Sequence, residues 1–256
     1  MGTLERNQGA FTAQSEGFSS DGETYADQGD LEWMLAELPL GPGMDALDIA
    51  TGTGELARAL APRVASVIGL DATPAMLEKG RSFIQEHAIE NISFQEGRVE
   101  EIPFESERFD AVTCRYAFHH FADPRPVISE MARVCKKGGH VLIVDIVVLE
   151  ESTRTEANYY EWLCDQSHTR CCGVEEVQTL YGLMGLEVVA SKNEITEEKV
   201  ADWLDFSLTE KGRREELLHA FAIEMEGGAR TGLAPFKKGA ELYFRQREAV
   251  ILGRKR

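Results

Sequence analysis

Short apolar runs bounded by glycine, proline or an acid alternate with longer amphipathic stretches through the first 150 residues. The pattern predicts strands near 45–50, 66–71, 91–96, 109–114 and 139–148, with helices near 54–61, 74–88 and 124–136 as the clearest connectors. Val, Ile and Leu occupy both faces of these strands, which implies a parallel sheet covered on both sides. Local signals set the helix ends. Thr73-Pro74 reads as an N-cap followed by proline at the first helical position. Lys136-Lys137-Gly138-Gly139 reads as a cationic last turn stopped by glycine. Ahead of the first strand, Leu40-Gly41-Pro42-Gly43 is a turn. The stretch 11–38 is part helical, and Phe11, Phe18 and Tyr25 serve there either as a cover or as packing on the sheet edge. Beyond 150 the pattern shifts to helices over 152–165 and 174–183, a strand over 186–195, and a mostly helical stretch at 197–226. Trp203, Phe206, Leu217, Leu218 and Phe221 share an apolar side of that stretch. A last strand follows at 240–252. The insertion at 196–226 is long for a sheet connection and reads as a lid over a pocket; the alternative is an oligomer contact, a homodimer in the simplest case. The chain divides into an N-terminal helical cover (1–43), a sheet core (44–150) and a C-terminal part with a helical cap (151–256), within a single domain.

The chemistry concentrates where the first strand ends. Asp48-Ile-Ala-Thr-Gly-Thr-Gly54 is a strand leading into a glycine turn, and the next apolar run ends on Asp71. Strand, glycine turn, helix, strand and acid make the nucleotide-binding half of a doubly wound α/β sheet, with Asp71 placed to accept both hydroxyls of a ribose. Gly52-Thr-Gly-Glu-Leu-Ala57 also satisfies the dinucleotide pattern, so an NAD(P)-dependent oxidoreductase is an alternative. A pyrophosphate, however, needs backbone N–H groups with no anion nearby. Asp48 and Glu55 crowd this turn and suit a ligand with a cationic end. S-adenosylmethionine, with an ammonium, a sulfonium and a ribose, is such a ligand.

Five ordered blocks between residues 10 and 150 resemble class I S-adenosylmethionine-dependent methyltransferases, within them the small-molecule group that includes the ubiquinone/menaquinone C-methyltransferases. They are the glycine turn, Gly69-Leu-Asp-Ala-Thr-Pro-Ala-Met-Leu77, Glu96-Gly-Arg-Val-Glu-Glu-Ile-Pro-Phe104, Phe109-Asp-Ala-Val-Thr-Cys-Arg-Tyr-Ala-Phe-His-His-Phe121 and Val134-Cys-Lys-Lys-Gly-Gly-His-Val-Leu-Ile-Val-Asp145. The resemblance implies a Rossmann-like α/β fold: a seven-stranded, mostly parallel sheet with an antiparallel last strand and helical cap insertions. It implies S-adenosylmethionine as cofactor, held by Asp48, Ala50, Thr51, Gly52, Thr53, Gly54, Asp71, Ala72, Met76, Arg98, Val99, Arg115 and Tyr116. A methyl group would pass to a small-molecule acceptor, with a quinone-like ring favoured by the overall pattern. His119 and His120 are the candidate catalytic bases, because an imidazole titrates near neutrality. His168 and Arg170, in the polar cluster after the core, are the candidate acceptor contacts. The chain departs from the family at two positions. Ala50 stands where glycine is frequent, a mild change. Arg98 stands where many members place an aspartate for the adenine amino group; an arginine cannot accept, so backbone near Val99 reads the ring or Arg98 stacks on it. A non-catalytic protein that binds the cofactor to regulate or scaffold a partner is the second reading.

Composition narrows the partners. The 256 residues carry a net charge of −17, which repels phosphate backbones and argues against nucleic acid, despite the basic Gly-Arg-Lys-Arg256 end. The longest apolar run falls short of a membrane span, and the polar N-terminal stretch has no secretory pattern. The five cysteines make no ligand-spaced cluster, so no metal is expected, and the plain reading is reduced thiols in a cytoplasmic protein. Cys164, Cys171 and Cys172 lie close enough in sequence to raise a soft-ion site, for arsenite, as the lesser alternative.

Overall fold

The computed structural model describes residues 3–14 and 28–256; Phe18 and Tyr25 lie outside the described residues. One sheet is built from β1 (Asp45–Ile49), β2 (Ser66–Asp71), β3 (Ile92–Glu96), β4 (Phe109–Arg115), β5 (Cys135–Val147), β6 (Leu186–Lys199), β7 (Phe236–Lys238) and β8 (Glu241–Lys255). Its order is β3-β2-β1-β4-β5-β8-β6, with β7 added as a hairpin on β8. Strands β1 to β5 pair in parallel. Strand β8 runs antiparallel between β5 and β6. The seven-stranded path with an antiparallel last strand is therefore as expected. The extra strand β7 is three residues long, too short for alternation to reveal it.

Nine helices dress this sheet among the described residues: α1 (Thr3–Gln14), α2 (Gln28–Leu35), α3 (Glu55–Leu60), α4 (Pro74–Glu86), α5 (Pro124–Val134), α6 (Arg154–Cys164), α7 (Val174–Leu183), α8 (Val200–Phe206) and α9 (Lys211–Met225). On one face of the sheet, Val127, Ile128 and Met131 of α5 and Val177 and Tyr181 of α7 pack on β1, β4 and β5. On the other, Met34 and Leu35 of α2 and Leu56 and Leu60 of α3 do the same. Each such side chain removed to alanine would cost about 2–5 kcal/mol, since transfer and cavity terms add. A third core belongs to the cap, where Leu163, Trp203, Leu217, Phe221 and Phe244 meet.

Three local expectations are corrected. Helix α5 stops at Val134, and Lys136-Lys137-Gly138-Gly139 belongs to the start of β5, not to a helix end. Pairing of Cys135 with Phe109, burial of Cys135 and an ion pair from Lys136 to Asp110 at 2.8 Å hold the segment extended. The stretch 197–226 is mostly helical, as expected, through α8 and α9, although β6 stays paired with β8 up to Lys199 before α8 begins. Leu218 points outward at 40% exposure, and α9 packs on α6 rather than over the crevice. Finally, Thr73 is the residue before α4 with Pro74 at its start, yet its side chain makes no capping bond.

Candidate active site

A large cavity of about 820 Å³ opens at the carboxyl ends of β1, β2 and β4, the place where open α/β sheets bind ligands. The turn after β1 shapes one side. Gly52 and Gly54 have φ of +56° and +83°, left-handed values that glycine adopts cheaply. Ala50 shares that region at +48° and carries a Cβ there, a strain of roughly 1–2 kcal/mol. Gly54 does not line the cavity. A Cβ on it would meet the Phe94 ring at 2.6 Å, and Gly69 and Gly80 leave room for the same ring. These glycines make a slot for Phe94 under the turn.

Two carboxylates are fixed beside the turn. Asp48 is buried; Thr51 donates to one of its oxygens at 2.6 Å and Thr113 to the other at 2.8 Å. Burial pushes its pKa up to about 6, against the pull of those hydroxyls. Asp71 accepts from the N–H of Gly52 at 2.9 Å on one oxygen and of Thr73 at 2.8 Å on the other. Burial also raises Asp71, and the backbone donors oppose it. The Thr73 hydroxyl also bonds Asp71, and the oxygen facing Gly52 keeps a lone pair for a second donor. Arg115 is ion-paired with Glu55 and lies 4.9 Å over the Tyr116 ring. Its Nη1 is buried and has no hydrogen-bond partner. Tyr116 takes a left-handed φ of +50°, backbone strain of the kind that collects at functional sites. Thr51, Thr53, Ala72, Met76 and Val99 complete this side, and half-exposed Arg98 stands at the rim next to Glu100. Helix α1 closes over it. Gln8 donates to the Ala72 carbonyl at 2.5 Å, Asn7 to the His120 carbonyl at 3.2 Å, and Phe11 meets the His120 ring edge-on at 4.9 Å.

Three histidines stand on the other side, each in a different state. His119 Nδ1–H donates to Asp145 at 2.6 Å, and the second Asp145 oxygen accepts from the Phe118 N–H at 2.6 Å. Burial works against the His119 cation, but Asp145 and then Glu161 and Asp165 outweigh it, and the pKa rises. His120 has no such partner. The Ser167 hydroxyl gives its proton to Asp165 at 2.6 Å, so His120 Nδ1 must donate to Ser167 at 3.1 Å. Burial and the neighbouring His119 push His120 down to about 4. For His168, Asn158 Oδ1 is fixed as an acceptor by the Cys171 N–H at 2.7 Å, so His168 Nε2 donates to it at 3.0 Å and Nδ1 is bare. Burial pushes His168 down to about 2.

The remaining walls come from the C-terminal part. Glu161 of α6 is buried, and burial pushes its carboxyl up to about 7 despite nearby His119 and a bond from Gln246. Thr196 and Glu198 of β6, Gln246 and Glu248 of β8, and Trp203 and Phe206 of α8 also line the cavity. Arg170 does not. Its side chain is ion-paired with Glu176 on α7, although its backbone N–H bonds the His119 carbonyl at 3.1 Å. Asp145, Glu161 and Glu248 were not singled out from the sequence. Asp145 carried a readable signal, as the lone charge inside Val141-Leu-Ile-Val-Asp-Ile-Val147. Glu161 and Glu248 carried none. The three cysteines of the soft-ion alternative are buried as neutral thiols in three different clusters. No group of metal-ligating side chains converges among the described residues.

A sheet of this order, with one antiparallel strand next to the edge and a glycine turn and carboxylate at the point where strand order reverses, defines a class I, Rossmann-like methyltransferase. The chain belongs to the methyltransferase domain family, whose match spans residues 40–206. It is 35% identical over 198 residues to the uncharacterized methyltransferase YcgJ of Bacillus subtilis, covering 77% of this chain and 74% of that one. The crystal structure of YcgJ superposes with a TM-score of 0.80 at 31% identity, over 90% of this chain and 99% of that one. The ubiquinone/menaquinone biosynthesis C-methyltransferase UbiE of Geobacter sp. is 39% identical over 113 residues, 43% of this chain. The match covers 46% of that relative, less than half its length. Methyl transfer dependent on S-adenosylmethionine is thus the reaction class, and the oxidoreductase alternative is not favoured. No helix among the described residues is long and apolar enough to cross a membrane.

Proposed function

We propose that this chain binds S-adenosylmethionine over β1, β2 and β4 and methylates a small molecule held between α6, α8 and the β6–β8 ribbon, in the cytoplasm. The observation that carries the reading is the pair of oriented carboxylates, Asp48 and Asp71, beside a buried guanidinium nitrogen without a partner, Arg115 Nη1. That set matches an ammonium, a ribose diol and a carboxylate, and its two carboxylates repel a pyrophosphate. Asp71 would take the ribose hydroxyls, Asp48 the ammonium, Arg115 the carboxylate, and Met76 and Val99 the adenine faces, with Arg98 stacking at the rim. Gly54 acts one layer down, by seating Phe94. When bound, the cofactor supplies a sulfonium-activated methyl group for in-line displacement.

The protein's own residues then align the acceptor and exclude water. His119 is the general base, because Asp145 fixes its Nδ1–H and leaves Nε2 to take a proton. His120 is unsuited to that role. Its Nδ1 is committed to Ser167, its carbonyl to Asn7, and its cation is disfavoured. His168 offers a bare Nδ1 as acceptor for a donor on the small molecule; Arg170, turned to α7, makes no such contact. The relation to quinone methyltransferases covers less than half of the chain and does not carry their acceptor with it. Thermal-shift assays with S-adenosylhomocysteine and NADH test the reading. Stabilisation by the first alone is expected, and stabilisation by NADH alone would contradict it.

A further inference from the structure

Charge is distributed unevenly over the cavity wall. Nine carboxylate side chains and two guanidiniums line it among the described residues, and no lysine does. Both guanidiniums are already ion-paired, Arg115 with Glu55 and Arg98 with Glu100. Asp48 and Asp71 are accounted for by the cofactor reading, whereas Glu161 and Glu198 lie away from it and Glu248 accepts from the Tyr116 hydroxyl.

These three surround one spot. Thr196 on β6 pairs directly with Gln246 on β8, and Gln246 bonds Glu161. Glu198 and Glu248 lie on the same face of these antiparallel strands but on opposite sides of that pair, each about 7 Å from it. No lysine or arginine among the described residues is ion-paired with Glu161 or Glu198. A separate observation marks the same place as built for a ligand. Thr196 Oγ1 is buried and has no hydrogen-bond partner, which is costly unless something fills the role. Trp203, packed 4.5 Å from Phe244, and Phe206 supply an aromatic wall. The missing charge is not a metal ion, since no ligand set for one converges among the described residues.

We propose that the acceptor is an organic amine, bound as its ammonium among Glu161, Glu198 and Glu248 against the Trp203–Phe206 wall and methylated on that nitrogen. The proposal rests on the methyltransferase reading above. Carboxylates desolvated beside an indole face hold an ammonium by ion pairing and cation–π attraction together. An anionic acceptor is repelled, and a neutral one leaves Glu198 uncompensated. The ammonium first yields one proton to His119 Nε2. The freed nitrogen pair then forms the N–CH3 bond, the pair of the breaking C–S bond stays on sulfur, and His119 passes its proton to water. An alkylammonium becomes a methylalkylammonium, and one proton is released.

The test uses the full chain saturated with S-adenosylhomocysteine and three probes of one shape, benzylamine, benzyl alcohol and benzoate, titrated by ligand-observed NMR near neutral pH at physiological salt. Benzylamine is expected to bind at least about tenfold tighter than either of the others. In the double variant Glu161→Gln and Glu198→Gln that preference should shrink to about threefold or less, while affinity for S-adenosylhomocysteine holds. Benzoate or benzyl alcohol binding as tightly as benzylamine, or no binding of benzylamine, overturns the proposal whatever the variant does. Failure of the wild-type chain to bind S-adenosylhomocysteine would instead overturn the cofactor reading, and the proposal with it.

Discussion

Glu161 should weaken the fold that holds it. The residue is 6% exposed. Burial lifts its pKa from an ordinary 4.5 to about 7, with His119 and Gln246 only partly offsetting the loss of water. A carboxyl whose folded pKa is raised favours the fold while protonated. Its contribution is intact below pH 4.5, declines between pH 4.5 and 7, and is lost above. At 1.36 kcal/mol for each tenfold in proton affinity, the rise from 4.5 to about 7 amounts to about 3 kcal/mol of stability lost by pH 8. Glutamine at this position keeps the shape and a hydrogen bond with Gln246 but never ionises. Glu161→Gln is therefore expected to be more stable than wild type by about 3 kcal/mol at pH 8 and by less than about 1 kcal/mol at pH 5. Urea titrations followed by circular dichroism at the two pH values give the difference directly, because groups titrating alike in both proteins cancel. A variant that is less stable at pH 8, or whose advantage is the same at both pH values, would refute the reasoning. The expected gain is also the argument for function. A charge kept at such cost marks a site in use, and the same substitution should weaken amine binding.

Three further outcomes follow from the geometry. Asp145→Asn removes the carboxylate that outweighs burial at His119, so His119 should titrate below 6.5 instead of above it in a nitrogen-detected NMR titration; an unmoved value would contradict the dyad. Ala50→Gly relieves a left-handed alanine, and chemical denaturation should show a gain of about 0.5–1 kcal/mol after the unfolded-state cost of glycine; a loss would show that the turn is not strained. Gly54→Ala puts a Cβ at +83° and 2.6 Å from the Phe94 ring, so a loss of about 2–4 kcal/mol is expected, and no loss would sink the slot.

The parallel core was legible because its signals are local. Apolar runs buried on both faces, the turn after β1 and Asp71 at the end of β2 all lie within a few residues of the feature they report. The Lys136-Lys137-Gly138-Gly139 segment misled because the same residues suit a helix end and a strand entry, and the choice is made by Phe109 and Asp110, 26 residues away. Strand β7 is too short for alternation to reveal it, and the extension of β6 depends on pairing with distant β8, which adjacent sequence does not encode. On the cofactor side, most candidates do line the cavity. On the acceptor side, His119 and His168 were visible as titratable residues, but their states were not. Asp145 reaches His119 from β5, and Glu161, Gln246 and Thr196 converge from α6, β8 and β6 only after the antiparallel strand is inserted. Arg170 misled for the converse reason: its partner Glu176 is near in sequence and lies outside the crevice.

The claim on which the rest depends is that Asp71 holds the ribose of S-adenosylmethionine. Calorimetric titration of the wild-type chain and of Asp71→Ala with S-adenosylhomocysteine tests it most directly, with circular dichroism to show that both are folded. Removing the carboxylate leaves the Gly52 and Thr73 N–H groups and the ligand's hydroxyls without their acceptor. The account predicts micromolar binding by the wild type, weakened by about 1–3 kcal/mol in Asp71→Ala, or roughly 5- to 150-fold. Equal affinity in the two folded proteins, or no binding by the wild type, would contradict it.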